Sequence, residues 1–156
     1  MDNLSNDNTL REVCENDKLL VKDLLKTVNM GSLSIDVTRE YVASQAFGDY
    51  LKELQRSYNA YNDRCVEYMR ANKINEDVLT SVKEALQRGA IKMGMMGTHS
   101  DERVAEQLLK GSFMGIDVIG KNLNQAGKFA PELAHLAEEI EDFLWGSIKE
   151  MRVWLS

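Results

Sequence analysis

Glu132-Leu133-Ala134-His135 is the stretch best suited to chemistry, because a carboxylate and an imidazole three residues apart share one face of a helix. Di-iron and di-manganese carboxylate bundles use this spacing twice, with a further Glu from each of two other helices. Here it occurs once, and the matching place in the first half reads Glu53-Leu54-Gln55-Arg56. An arginine there puts a fixed positive charge where a ligand should stand, which repels a metal ion. Asp36 and Asp117 could also turn inward, but Asp36 lies six residues beyond Met30 and Asp117 three beyond Met114, so they form no symmetric pair. The expectation is a surface Glu/His pair and no bound cofactor. The alternative is a site for iron or another divalent metal on Glu132, His135, Asp36 and Asp117.

His99 follows Met93, Met95 and Met96, a combination of imidazole and thioethers able to hold Cu(I). Methionines at helical spacing more commonly fill a core, and that is the expectation here. The acidic run Glu138-Glu139-Ile140-Glu141-Asp142 reads as a solvated helix face. The chain has no Gly-x-Ser-x-Gly elbow, no phosphate-binding loop, no dinucleotide fingerprint and no Cys-x-x-Cys, so enzyme chemistry has little foothold.

Helices must position these residues. With 156 residues, 44% hydrophobic and one proline, the chain suits a single all-α domain with long uninterrupted helices. A net charge of −6 without a basic stripe argues against nucleic-acid binding. No apolar run reaches membrane-spanning length, so no membrane insertion is expected. Met1 to Asn8 lacks the basic-then-apolar order of a signal peptide, and Cys14 and Cys65 read as reduced core thiols. A cytoplasmic location is the expectation.

Residues 1–8 read as a disordered lead-in, and 9–156 as the helical domain. Leu10, Val13, Leu20, Leu24, Val28, Gly31, Ile35, Thr38 and Val42 recur at helical steps, interrupted by Asp17, and predict a helix from about Leu10 to about Ala43. After a connection at Ser44-Gln45-Ala46, the stripe Phe47, Leu51, Leu54, Tyr58, Tyr61, Cys65, Met69 predicts its antiparallel neighbour. Tyr50, Tyr58 and Tyr61 on or near that stripe carry hydroxyls that need partners if buried. Asn75 can cap a shorter helix carrying Val78 to Met96, which breaks near Gly97. From about Asp101 to Gln125 the inward stripe is Val104, Leu108, Gly111, Gly115, Val118 and Asn122, and Pro131 opens a last helix.

The first and third long helices echo each other. At a constant offset of 84 (108 minus 24), Leu24/Leu108, Leu25/Leu109, Lys26/Lys110, Met30/Met114, Gly31/Gly115 and Ile35/Ile119 are identical, giving pseudo-repeats at about 19–70 and 103–155. A helix-interior glycine costs about 1 kcal/mol relative to alanine, so Gly31, Gly111 and Gly115 imply close helix crossing. The expectation is that Met30-Gly31 and Met114-Gly115 face each other, with methionine filling the space beside the glycines.

The repeated Leu-Leu-Lys-x-x-x-Met-Gly signature, with the run from Ala105-Glu106-Gln107-Leu108-Leu109 through Gly111-Ser112-Phe113-Met114-Gly115-Ile116 to Leu123-Asn124, resembles a family of small, uncharacterised ferritin-like helix-bundle proteins from anaerobic Gram-positive bacteria, a domain of unknown function. The resemblance covers about Leu19 to Leu155. It implies a ferritin-like up-down-up-down four-helix bundle with an extra short helix before the third long helix. The wider superfamily's Glu and Glu-x-x-His ligands map here only onto Glu132 and His135.

The functional expectation is a non-enzymatic interaction or structural protein, a homodimer or other homo-oligomer with an unidentified protein partner. The last helix, with Trp145 and Trp154 at different angles, carries more apolar surface than one core can bury. A metal-handling bundle is the second expectation, and a coat or envelope-associated component the third.

Overall fold

The computed structural model describes residues 2–74, 100–125 and 129–155, together with Thr80, Lys83, Glu84, Gln87 and Arg88; within these ranges side chains are described from Glu15 to Asn124 and from Phe129 to Leu155. The four long helices among the described residues are α1 (Asp2–Thr38), α2 (Gln45–Ala71), α3 (Asp101–Gln125) and α4 (Pro131–Met151).

Five of the helix ends have a local cause. α1 starts at Asp2, ahead of the expected start near Leu10, and stops at Thr38, short of Ala43. Its last turns carry Ser34 and Thr38, whose hydroxyls donate to the carbonyls of Met30 and Ser34 at 2.7 and 2.6 Å, a bonding that bends and weakens helices. A 3-10 turn at Arg39–Tyr41 follows, and Ser44 caps α2 by accepting the Phe47 N–H at 3.2 Å. At the other end of α2, the Ile74 N–H reaches the Met69 carbonyl at 2.9 Å while Lys73 takes φ 52°, a left-handed closure that glycine usually makes. Ser100 caps α3 through the Arg103 N–H at 3.2 Å, and Pro131 opens α4 as expected. The expected short helix at Val78 to Met96 and the break near Gly97 lie outside the described residues, although Thr80, Lys83, Glu84, Gln87 and Arg88 have helical backbone.

Side-chain contacts fix the directions. α1 and α2 are antiparallel, because Asn29 donates to Asn62 at 2.7 Å while Gln55 reaches Asp36 at 2.7 Å. α1 and α3 are antiparallel too: Asn122 near the end of α3 donates to Asp23 at 2.7 Å, while Asp101 at its head accepts the Ala43 and Ser44 N–H groups at 2.7 and 3.0 Å. α2 and α3 therefore begin at the same end, and α4, whose Glu139 meets Arg64 while Trp154 in the 3-10 turn after it (Arg152–Trp154) stacks on Phe47, runs against α2. The expected up-down-up-down order is corrected to up-down-down-up. The last residue of α2 and the first of α3 thus lie at opposite ends of the bundle.

Paired positions occupy matching places: Leu24 and Leu108, Leu25 and Leu109, and Ile35 and Ile119 are all buried, joined in the core by Phe47, Leu51, Leu133, Ile140 and Leu144. A Cβ on Gly31 would lie 2.4 Å from the Tyr58 ring, and one on Gly115 would lie 2.7 Å from Thr27 Cγ2 and 3.0 Å from Leu144 Cδ1. Each glycine thus admits a side chain of the second helix of its own hairpin. The expected Met-Gly facing is corrected accordingly: Met30 is half-buried and Met114 points to solvent, so neither fills the space beside the glycines. Gly111, Val118 and Asn122 also leave the expected inward stripe, whose place is taken by Ala105, Leu109, Ser112 and Ile119. No described helix is long and apolar enough to cross a membrane.

Candidate functional site

The richest polar cluster lies on the seam between α2 and α4. Arg64 reaches across to both oxygens of Glu139, whose Oε1 is also 3.1 Å from His135 Nε2. The guanidinium sits 5.7 Å from the centre of the Tyr61 ring. Its hydrogen bond, helped by its charge and by His135, holds the Glu139 carboxyl below the usual range. Beside it opens a cleft of about 220 Å³ lined by Arg64, Glu67, Tyr68, Ala71, Glu132 and Leu136.

No nucleophile is activated there. Cys65, next along α2 from Arg64, is fully buried, and burial pushes its thiol up to about 12 against a smaller opposing pull from Arg64. Such a thiol is protonated and inert at neutral pH. The Tyr68 hydroxyl donates to Asp17 at 3.0 Å. The seam joins two helices by charge and leaves Glu67 and Glu132 facing water.

The sequence-predicted residues are not brought together. Glu132 is exposed on the rim of the cleft, and His135, with 71% of its side chain exposed, pairs with Glu139 one turn onward. Asp36 is exposed and accepts from Gln55, which lies about 20 Å along α2 from Tyr68 at ~1.5 Å per residue, so it sits at another level of the bundle from Glu132. Asp117 is on the outer face of α3, bound to Lys121 at 2.8 Å. Among the described residues, no three His, Cys, Asp or Glu side chains gather as a ligand set. His99 and its methionines lie outside those residues.

Two carboxylates that do position structure were missed. Asp17, which reads in sequence as an interruption of the α1 stripe, is 6% exposed and accepts the Tyr68 hydroxyl and, at 3.1 Å, the Ala130 N–H ahead of α4. Asp101 does the same for the head of α2. The signal was available, since Asp17 and Asp101 are also separated by 84 (101 minus 17).

Aromatic residues divide between core and surface. Tyr58 meets Phe143 edge-on at 5.1 Å, and burial pushes its hydroxyl up to about 12, partly offset by a hydrogen bond to Ser112. Phe47 and Tyr50 pack on Trp154 at 4.4 and 5.2 Å. The Tyr50 hydroxyl is buried beside Glu150, and burial, then neighbouring Glu150, raises its ionisation above the ordinary tyrosine value. On the outer surface of α3 and α4, by contrast, Phe113 (49% exposed), Met114 (70%), Val118 (36%) and Trp145 (43%) face solvent, with Phe113 edge-on to Trp145 at 6.0 Å. The corresponding seam of α1 and α2 is an amide and hydroxyl ladder, Asn29 to Asn62 and Ser32 to Asn59. Comparison of the chain with protein-family models, with curated proteins and with solved structures finds no match.

Proposed function

We propose that the chain is a ferritin-like helix bundle that serves as a non-enzymatic interaction or structural protein and associates with itself. The observation that carries this reading is the solvent exposure of Phe113, Met114, Val118 and Trp145, with Phe113 and Val118 standing where the first hairpin has Asn29 and Ser34. Phe113 and Trp145 meet edge-on at 6.0 Å, and exposed apolar side chains in contact mark an interaction surface. The ferritin-like part of the proposal is supported by the up-down-down-up order, since ferritin-like bundles have a single long crossover between two hairpins. Fold likeness gives no activity by itself, and the placement of Glu132, His135, Asp36 and Asp117 at separate points on the exterior favours an inherited scaffold over a metal-handling one. Sedimentation equilibrium across a concentration series tests the proposal. A concentration-dependent rise in mass to a multiple of one chain is expected, and a single chain at every concentration refutes it.

A further inference from the structure

The outer face of α3 is self-complementary in charge. Arg103, Glu106, Lys110, Phe113, Met114, Asp117 and Lys121 recur at helical steps along one face, and all but the half-buried Glu106 are exposed. About the midpoint between Phe113 and Met114, Lys110 and Asp117 are equidistant and opposite in sign, and so are Glu106 and Lys121. Laying a second α3 antiparallel on the first sets Lys110 against Asp117, Glu106 against Lys121, and Phe113 against Met114. A parallel arrangement in register would instead oppose each charge with its like.

Gly111 is a second observation. It lies within α3, one turn before Met114, and a Cβ there would meet nothing within 4 Å. A helix-interior glycine weakens a helix relative to alanine, and nothing inside the described chain uses the space it leaves. It stands at the border of this face, about 160° around the helix from Phe113 at ~100° per residue.

We infer that the partner of this face is a second copy of the chain, bound through antiparallel α3 helices related by a twofold axis passing between Phe113 and Met114. This names the surface and register for the self-association proposed above and rests on it. The contact is isologous, as a closed homodimer requires. At its centre Met114 of each copy lies on the Phe113 and Trp145 rings of the other, a thioether on aromatic edges. In the isolated chain Asp117 and Lys121 pair with each other, and Arg103 with Glu106; in the dimer the exposed charges exchange these short-range partners for ones across the axis.

The test uses the full chain and two variants, Lys110→Glu and Asp117→Lys, followed by sedimentation velocity. Each variant alone opposes like charges twice across the axis and weakens association by about tenfold, because two attractive surface pairs become repulsive ones. In an equimolar mixture both pairs regain opposite signs. The carboxylate introduced at position 110 of one copy meets the ammonium introduced at position 117 of the other, the native Lys110 meets the native Asp117, and a mixed dimer recovers wild-type affinity. That recovery also shows that both variants fold. Met114→Cys gives an independent measurement: its two sulfurs lie beside the axis and cross-link under a mild oxidant, whereas Arg103→Cys does not, with the wild-type chain controlling for Cys14 and Cys65. If the chain self-associates but neither the variants nor their mixture changes the affinity, this register is overturned while self-association stands. If the chain is monomeric throughout, both fall.

Discussion

Replacing Gly31 by alanine separates helix propensity from packing in a single measurement. Propensity alone favours the change by about 1 kcal/mol. The added Cβ, however, would stand 2.4 Å from Tyr58 Cε1 and Cζ and 2.8 Å from Cε2, over the face of the ring. Carbon atoms in contact prefer about 3.5 to 4.0 Å, so the ring or the helix must retreat by about 1 Å. The ring has little room, since Tyr58 is 4% exposed, stands edge-on to Phe143 at 5.1 Å, and hydrogen-bonds Ser112. Overpacking of this kind costs about 1–3 kcal/mol, and a ring face met this closely belongs near the upper end, which leaves a net loss of about 2 kcal/mol after the propensity gain. For a chain of this size that lowers the melting temperature by about 4–8 °C.

Gly48→Ala is the control, because a Cβ there meets nothing within 4 Å, and it should raise stability by up to about 1 kcal/mol. The double variant Gly31→Ala with Tyr58→Leu should show a favourable coupling, since removing the ring removes every atom within 2.8 Å of the added Cβ. Thermal and urea unfolding read all three. A Gly31→Ala protein as stable as Gly48→Ala refutes the close approach of α1 to the Tyr58 ring.

Four further outcomes are expected. Raising the pH should destabilise the fold: Cys65 and Tyr58 ionise at 9.0 and 10.0 when unfolded but at about 12 when folded, so their contribution is whole below pH about 9 and is lost toward 12, reaching on the order of 4 kcal/mol by pH 11; urea titrations at stepped pH check this, and Cys65→Ala should delay the onset by about one pH unit. Asp17→Ala leaves the Tyr68 hydroxyl and the Ala130 N–H without their acceptor and should cost about 1–3 kcal/mol, read by the same unfolding curves. Lys73→Gly removes a side chain from a left-handed backbone position and should add about 1 kcal/mol. Metal content of protein purified without chelator or oxygen should stay well below one ion per chain and be unchanged in His135→Ala; near-stoichiometric iron, manganese or zinc lost in that variant would promote the metal-handling reading instead.

The buried stripes were legible because an amphipathic helix needs its apolar residues at steps of three and four: Leu24, Val28 and Ile35 on α1, and Leu51, Leu54 and Tyr58 on α2, are buried where the pattern put them. Chain direction was not legible from stripes, which look alike whichever way a helix points. It is set by Asp101 reaching the Ala43 and Ser44 N–H groups, a contact between residues far apart in the chain. The fate of the Glu132 and His135 pair could have been read more closely. At ~100° per residue, His135 lies about 160° around the helix from Ala137, whose burial with Leu133, Ile140 and Leu144 marks the core side. A spacing that puts two ligands on one face says nothing of which face, and here the apolar residues had already claimed the inner one.

The two hairpins share their interior and differ outside, and that difference is what isolates the α3 surface. Leu24, Leu25 and Ile35 have identical counterparts that are buried in the same way, and Asp17 and Asp101 tie corresponding helix heads, so the requirements of folding are met twice by like means. Those requirements account for neither Phe113 where the first hairpin has Asn29, nor Trp145 beside it, nor a glycine at 111 with empty space above it. Large apolar side chains in water and an unused helix glycine both act against the isolated chain, the first through solubility and the second by about 1 kcal/mol of helix stability. Phe113 and Met114 border charges on α3 that match their own reverse order, and that arrangement points to a contact made with another molecule of the same kind.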